Sequence, residues 1–249
     1  MRRTLFAASC VASLIGGSAI TSSAFALKLD PLVVQLAPSG TGSVQSYEIT
    51  NDGDKASTVT LSTVRRAMDE NGIEKLTAAD RELRLSVRSL TLQPGEKRKV
   101  DMIWAGSANP KKELAYRLIA EQRAVEATKP AATPGQLNVN VVVRVQGAIY
   151  VALPQAAPKL SVASAKPIKR KDAVTQLAIV LKNTGDAHAT LQNPALTLQA
   201  ADGKSVTLDH NSLASMAAQT VLAGHQRRFI VPWPADFPAG PIAVRVTQG

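Results

Sequence analysis

Two short marks occur twice in this chain, in the same order and at nearly the same spacing. "ITNDGDKASTVTL" (49–61) resembles "LKNTGDAHATLQN" (181–193), with Asn51, Gly53, Asp54 and Thr58 matched by Asn183, Gly185, Asp186 and Thr190. "LQPGEKRKVDMIW" (92–104) resembles "LAGHQRRFIVPW" (222–233), with Gly95, Arg98 and Trp104 matched by Gly224, Arg227 and Trp233. Asn51 and Gly95 stand 44 residues apart, Asn183 and Gly224 stand 41 apart. A single match of this kind carries little; two in order imply two domains of one topology. The period is too long for a solenoid, whose units repeat every ~20–50 residues.

The local signals within each half are β. "SVQSYEI" and "STVTLSTV" alternate polar with apolar and are rich in β-branched residues. "DENG" (69–72) and "ADG" (201–203) supply the Asn-Gly and Asp-Gly pairs that tight hairpin turns use for positive φ. Residues 110–125 show alternating Leu114, Tyr116, Leu118 and Ala120, which predicts a strand. Short strands with turns every eight to twelve residues predict an all-β chain of two tandem immunoglobulin-like β-sandwich domains. The expected limits are 1–26 for a signal peptide, 27–154 for the N-terminal domain and 155–249 for the C-terminal domain. Trp104 and Trp233 are expected in the core or at its corners.

The first 26 residues give an address. A basic start, "MRR", precedes an apolar, small-residue stretch that ends at "AFA" (24–26). This is the anatomy of a secretory signal peptide with cleavage after Ala26. The only cysteine, Cys10, leaves with it, so each exported domain is expected to rest on its own core without a disulfide. No integral membrane span is expected in the mature chain.

The net charge of +10 is dispersed over "RR" (65–66), "KRK" (97–99), "KK" (111–112), "KRK" (169–171) and "RR" (227–228). Aromatics are 4%, too few for the stacking platforms of a nucleic-acid binder. These basic residues are read as solvated faces and hairpin tips, and no nucleic-acid partner is expected. His188, His210 and His225 lack metal-ligand spacing and are read as surface residues. Asp69 and Glu70 are read as solvated acids on a turn. No nucleophile elbow, phosphate loop or carboxylate pair stands out, so no catalytic residue, metal or cofactor is expected, and a binding protein is favoured over an enzyme.

"QLNVNVVVRVQGAIYVALP" (136–154) follows a Pro/Ala/Thr-rich stretch, "ATKPAATPGQ" (127–136). It begins with strict alternation and turns into an apolar run. Such a strand after such a loop fits a sheet edge. On alternation alone Val139, Val141, Val143 and Val145 face either their own core or outward, and the resemblance set out next implies that they fill a groove in a partner.

In order, "SYEITNDGD", "SLTLQPGEKRKVDMIW", "ELAYRLIAEQ", a long loop, "VRVQGAIYVALP", "LKNTGDAHATL" and "VLAGHQRRFIVP" resemble the periplasmic pilus and fimbrial chaperones of chaperone–usher systems. The resemblance implies a periplasmic protein that lends the last strand of its first domain to an incomplete pilin-like subunit and delivers that subunit to an outer-membrane usher. In that family a Lys five residues before the strand-closing proline helps anchor the subunit's terminal carboxylate, and an Arg just before the proline helps tie the domains together. Here those positions hold Ile149 and Leu153, and the first-strand segment "DPLVVQLAP" (30–38) has no basic residue. Arg117 and Arg144 are the substitute anchors. Glu113 matches the family's acidic residue at the start of the sixth strand, without its usual partner. An adhesive or structural immunoglobulin-like module of the envelope is the alternative reading.

Overall fold

The computed structural model describes residues 27–124, 142–169, 175–238 and 240–248. The expected signal peptide and the loop 127–136 lie outside them. The architecture is all-β, in two immunoglobulin-like sandwiches, as the repeat predicts.

The first sandwich has strands β1 (Leu27–Asp30), β2 (Val33–Leu36), β3 (Val44–Asn51), β4 (Ser57–Met68), β5 (Glu74–Ala78), β6 (Leu83–Leu85), β7 (Ser89–Leu92), β8 (Lys97–Trp104), β9 (Leu114–Ala124) and β10 (Val142–Val151). One sheet runs β1-β3-β8-β6; the other runs β2-β10-β9-β4-β5, with β7 also on β4. The chain changes sheets between β1 and β2, at the cis Asp30–Pro31 peptide. Period-2 alternation turns Tyr47, Ile49, Leu61, Val100, Met102, Leu118, Ile149 and Val151 inward, each almost fully buried. Each side chain of this size removed from water contributes about 1.5–3 kcal/mol.

The second sandwich has strands β11 (Leu160–Lys169), β12 (Thr175–Asn183), β13 (Ala189–Thr190), β14 (Pro194–Ala200), β15 (Ser205–Leu208), β16 (Thr220–Val221), β17 (Gln226–Pro232) and β18 (Ile242–Gln248). They form sheets β11-β12-β17, β13-β16 and β15-β14-β18 around a core that includes Leu177, Ile179, Leu181, Leu198 and Phe229. Among the described residues no ladder joins these strands to β1–β10.

The repeated residues do the same work twice. Asn51 and Asn183 are fully buried. Asn51 Nδ2 donates to the carbonyls of Lys55 and Leu92, and Asn183 Nδ2 to those of Ala187 and Val221. Each Oδ1 accepts from the glycine two residues on, Gly53 or Gly185. The amides of Asn51 and Asn183 donate to the carbonyls of Glu96 and His225, each just after a glycine at positive φ, Gly95 at 72° and Gly224 at 74°. Trp104 and Trp233 close the pattern. Their indole N–H groups donate to Ser107 O and Phe237 O, and their rings meet Tyr116 and Phe237 edge-on.

Candidate functional site: an open strand edge beside a cationic cleft

β10 is paired on both sides over only part of its length. Against β9 it runs antiparallel from Val142↔Arg123 to Val151↔Leu114. Against β2 it runs parallel, but only over Ala148↔Val33 to Val151↔Leu36. Among the described residues, 142–147 therefore pair on the β9 side alone. Parity shows which groups face the open edge. The amide of Ala148 donates to Leu32 O and that of Ala152 to Leu36 O, so even-numbered amides of β10 point away from β9. The main-chain groups of Val142, Arg144 and Gln146 therefore point outward along the edge.

The side chains divide by the same parity. Val143 and Val145 are half-buried and pack against the first core, whereas Val142, Arg144 and Gln146 are exposed. Val139 and Val141 lie outside the described residues. Gly147 lies where β10 crosses closest to the core: a Cβ there would stand 3.1 Å from Leu29 Cδ2 and 3.4 Å from Tyr47. Ile149 is buried in the core, so the residues β10 presents next to β2 on its outer face are Ala148 and Tyr150.

A cleft of about 400 Å³ opens there between the two sandwiches. The first contributes Val33, Arg66, Met68, Glu74, Arg117 and Tyr150; the second contributes His188, Gln219, Thr220 and Arg227. Glu74 takes a two-pronged pair from Arg117, Nη2 to Oε1 at 2.6 Å and Nε to Oε2 at 3.1 Å. Arg66 Nε lies 2.7 Å from the same Oε1 but off the hydrogen-bonding line, and Arg66 Nη1 donates to the Tyr150 hydroxyl at 3.2 Å. Arg227 donates to Thr220 O at 2.9 Å and Gln219 Oε1 at 2.5 Å, and its guanidinium lies 5.3 Å from the Phe229 ring centroid. Three guanidinium groups thus face one carboxylate. Burial works against ionised Glu74, but the Arg117 hydrogen bonds and the Arg66 charge outweigh it and hold the carboxyl below its ordinary range. Burial and the like charge of Arg66 push Arg227 below its ordinary value.

Arg117, named from the sequence as a substitute anchor, lines the cleft. Arg144 does not line it; its guanidinium pairs with Glu121 on the outer face of the sheet. Arg66 and Arg227, read from sequence as parts of solvated basic pairs, are cleft residues, and Arg66 is buried. His188 is not a surface histidine. Its ring stacks on Tyr150 at 3.7 Å between centroids and 9° between planes. Its Nδ1 and main-chain N–H lie 2.7 and 3.0 Å from Glu113 Oε1, which supplies the partner that Glu113 lacked in the sequence. Glu70 is not a free turn acid either: its carbonyl accepts from the Arg228 amide at 2.5 Å, and its carboxylate pairs with the Arg228 guanidinium. Lys112 Nζ to Ala223 O and the apolar contact of Met68, Ala115, Ala148, Tyr150 and Leu222 complete the joint. Among the described residues no cluster of metal-ligating side chains occurs, and no helix is long and apolar enough to cross a membrane.

No family model and no curated protein matches the chain. Solved structures do. The chaperone CfaA of class 5 fimbriae has 12% identity and a TM-score of 0.53 over 90% of this chain and 100% of its own. A chain of the CsuC–CsuE complex of chaperone and tip adhesion subunit, from archaic chaperone–usher Csu pili of Acinetobacter baumannii, has 14% identity and a TM-score of 0.55 over 85% and 90%. A chain of the Salmonella enterica SafA pilin–SafB chaperone complex has 11% identity and a TM-score of 0.50 over 86% of each. The fold is that of the two-domain fimbrial chaperones.

Proposed function

We propose that this chain is a periplasmic chaperone of pilus or fimbrial subunits. In this reading it caps an incomplete subunit by lending it the open edge of β10, then delivers it to an outer-membrane usher. Residues 1–26 act as the export signal, and the two domains divide as 27–154 and 155–249.

The observation that carries the reading is the half-paired β10. Its outward main-chain groups, at Val142, Arg144 and Gln146, are a template for strand addition, and Val143 and Val145 sit partly exposed at the margin of their own core. Sequence alternation extends the apolar set to Val139 and Val141. The edge leads towards the cleft, so a strand laid parallel to β10 ends beside Val33, Arg66, Arg117 and Arg227. A terminal carboxylate placed there meets the guanidinium groups. The fold shared with fimbrial chaperones, two of them solved in complexes with a tip adhesion subunit and a pilin, supports the same reading.

Co-expression with small exported subunits of the pilin type tests the proposal. A stable one-to-one complex that protects the subunit from proteolysis is expected. Failure to hold any such subunit, with binding to glycan or another envelope protein through the loops instead, moves the adhesive-module reading ahead.

A further inference from the structure

The cleft carries more cationic charge than its internal pairs use, and that charge is split between the two domains. Arg66 and Arg117 stand on β4 and β9 of the first, with Glu74 of β5 held between them. Arg227 stands on β17 of the second, anchored to its own domain through Thr220 O and Gln219 Oε1. No carboxylate pairs with Arg227 among the described residues. Its depressed basicity has burial as its first cause and Arg66 as its second, so the two domains meet here with like charges partly out of water. The position is also fixed sterically. Arg227 packs onto Gly72, where a Cβ would stand 2.7 Å from its Nε, and Gly72 has a φ of 82° that a turn glycine accommodates. The guanidinium is thereby held against the first domain, with no first-domain acceptor among the described residues.

We infer that the cleft is an oxyanion clamp: an oxyanion bound between Arg227 and the Arg66–Arg117 pair closes the joint between the two domains. This rests on the reading of the cleft as an anion-binding site and adds that occupancy governs the interdomain contact. Other charged or titratable groups facing or flanking the cleft are Glu74, His188 and, behind it, Glu113 and Lys112. Glu74 is already engaged by two arginines, and Glu113 by His188, which leaves Arg227 as the group whose charge the anion answers. The adjacent main-chain bond from the Arg228 amide to Glu70 O crosses the joint and reports its opening directly.

The test uses the signal-free full chain without any client. Sodium sulfate is titrated at fixed ionic strength with chloride as the balancing salt, and both the thermal midpoint and the hydrogen exchange of the Arg228 amide are followed. Sulfate should raise the midpoint and slow that amide's exchange. In Arg227→Gln the apparent affinity for sulfate should fall at least about tenfold, as loss of a charge-assisted pair implies. Arg98→Gln, which removes the matching arginine of the first domain outside the cleft, should leave it unchanged. If Arg227→Gln fails to fold, Arg227→Lys keeps the charge without the fork and should still weaken sulfate binding. An N-acetylated tripeptide with a free C-terminus, compared with its C-terminal amide, separates the sources. A response to the acid but not the amide assigns the clamp to a chain terminus, and a response to sulfate alone assigns it to free oxyanions. An equal response to acid and amide overturns the clamp. So does a sulfate response untouched in both Arg227 variants, or bound sulfate that leaves Arg228 exchange unaltered. A Gln146→Pro chain should keep the sulfate response, so failure of strand donation and failure of the clamp are read separately.

Discussion

His188 of the second domain brings its Nδ1 to 2.7 Å from Oε1 of Glu113 in the first, and the same oxygen accepts the His188 main-chain N–H at 3.0 Å. Glu113 is almost fully buried, and among the described residues His188 is the hydrogen-bond partner of its side chain. Glu113→Ala leaves the His188 amide without its acceptor and should destabilise the joint by about 1–3 kcal/mol. Glu113→Gln, which keeps an acceptor oxygen, should lose less. Denaturant unfolding of both variants checks the order.

Proline separates the two edges of β10. Gln146→Pro deletes an N–H on the open side, and proline is tolerated where a strand's N–H faces solvent. This variant should melt close to the parent and lose client capture. Val145→Pro deletes an N–H on the β9 side and should destabilise by roughly 3 kcal/mol or more, by analogy with proline in regular structure. Co-purification of client and a thermal melt, run on both, decide the matter. A Gln146→Pro chain that still holds its client would sink strand donation.

The two buried asparagines should be equivalent in cost. Asn51→Ala and Asn183→Ala each strand at least two carbonyls and a glycine amide that the side chain satisfies. Each should lose several kcal/mol, at ~1–3 kcal/mol per buried orphaned group before relaxation. Similar losses in the two variants, measured by denaturant midpoint and slope, would match the internal repeat.

Acid should loosen the cleft, and neutral pH should not. Glu74 has its carboxyl held below the ordinary value of 4.5, so its contribution is fully present above that value. The contribution is lost as pH falls through the lower folded value. Stability measured from neutral pH downward should decline below about pH 4.5, and Glu74→Gln should make that decline shallower while lowering stability at neutral pH.

The fold was readable in the sequence because the repeat marks sit where geometry leaves few choices. An asparagine that must satisfy several main-chain groups, a glycine at positive φ and a tryptophan closing a corner recur at fixed spacing in both halves. The cleft was not readable. Arg65 and Arg66 are adjacent, but alternation sends only Arg66 into the cleft. Arg227 occupies the repeat position of Arg98; Arg98 stays on the surface beside Glu96, while Arg227 meets the other domain. Which domain surface a residue meets depends on how the sandwiches pack, and no local pattern encodes that. His188 illustrates the same limit: it flanks a turn in the sequence, yet the joint folds over it. Arg144 shares a face of β10 with Ala148 and Tyr150, but it stands four residues before Ala148, where its side chain meets Glu121 short of the cleft.

The point where β2 begins acts as an end-stop. From Val142 to Gly147 the open edge offers six described positions, about 20 Å of strand at ~3.3 Å per residue. Beyond it Val33–Leu36 already occupies the neighbouring track. A strand paired there as proposed could not slide indefinitely along β10, since its leading residue would abut Leu32 and Val33. The edge would therefore fix where a paired strand ends as well as match its pattern. In that pairing it would take a chain end, or a segment that bends away at that point, and turn back a strand that continues straight past Val33.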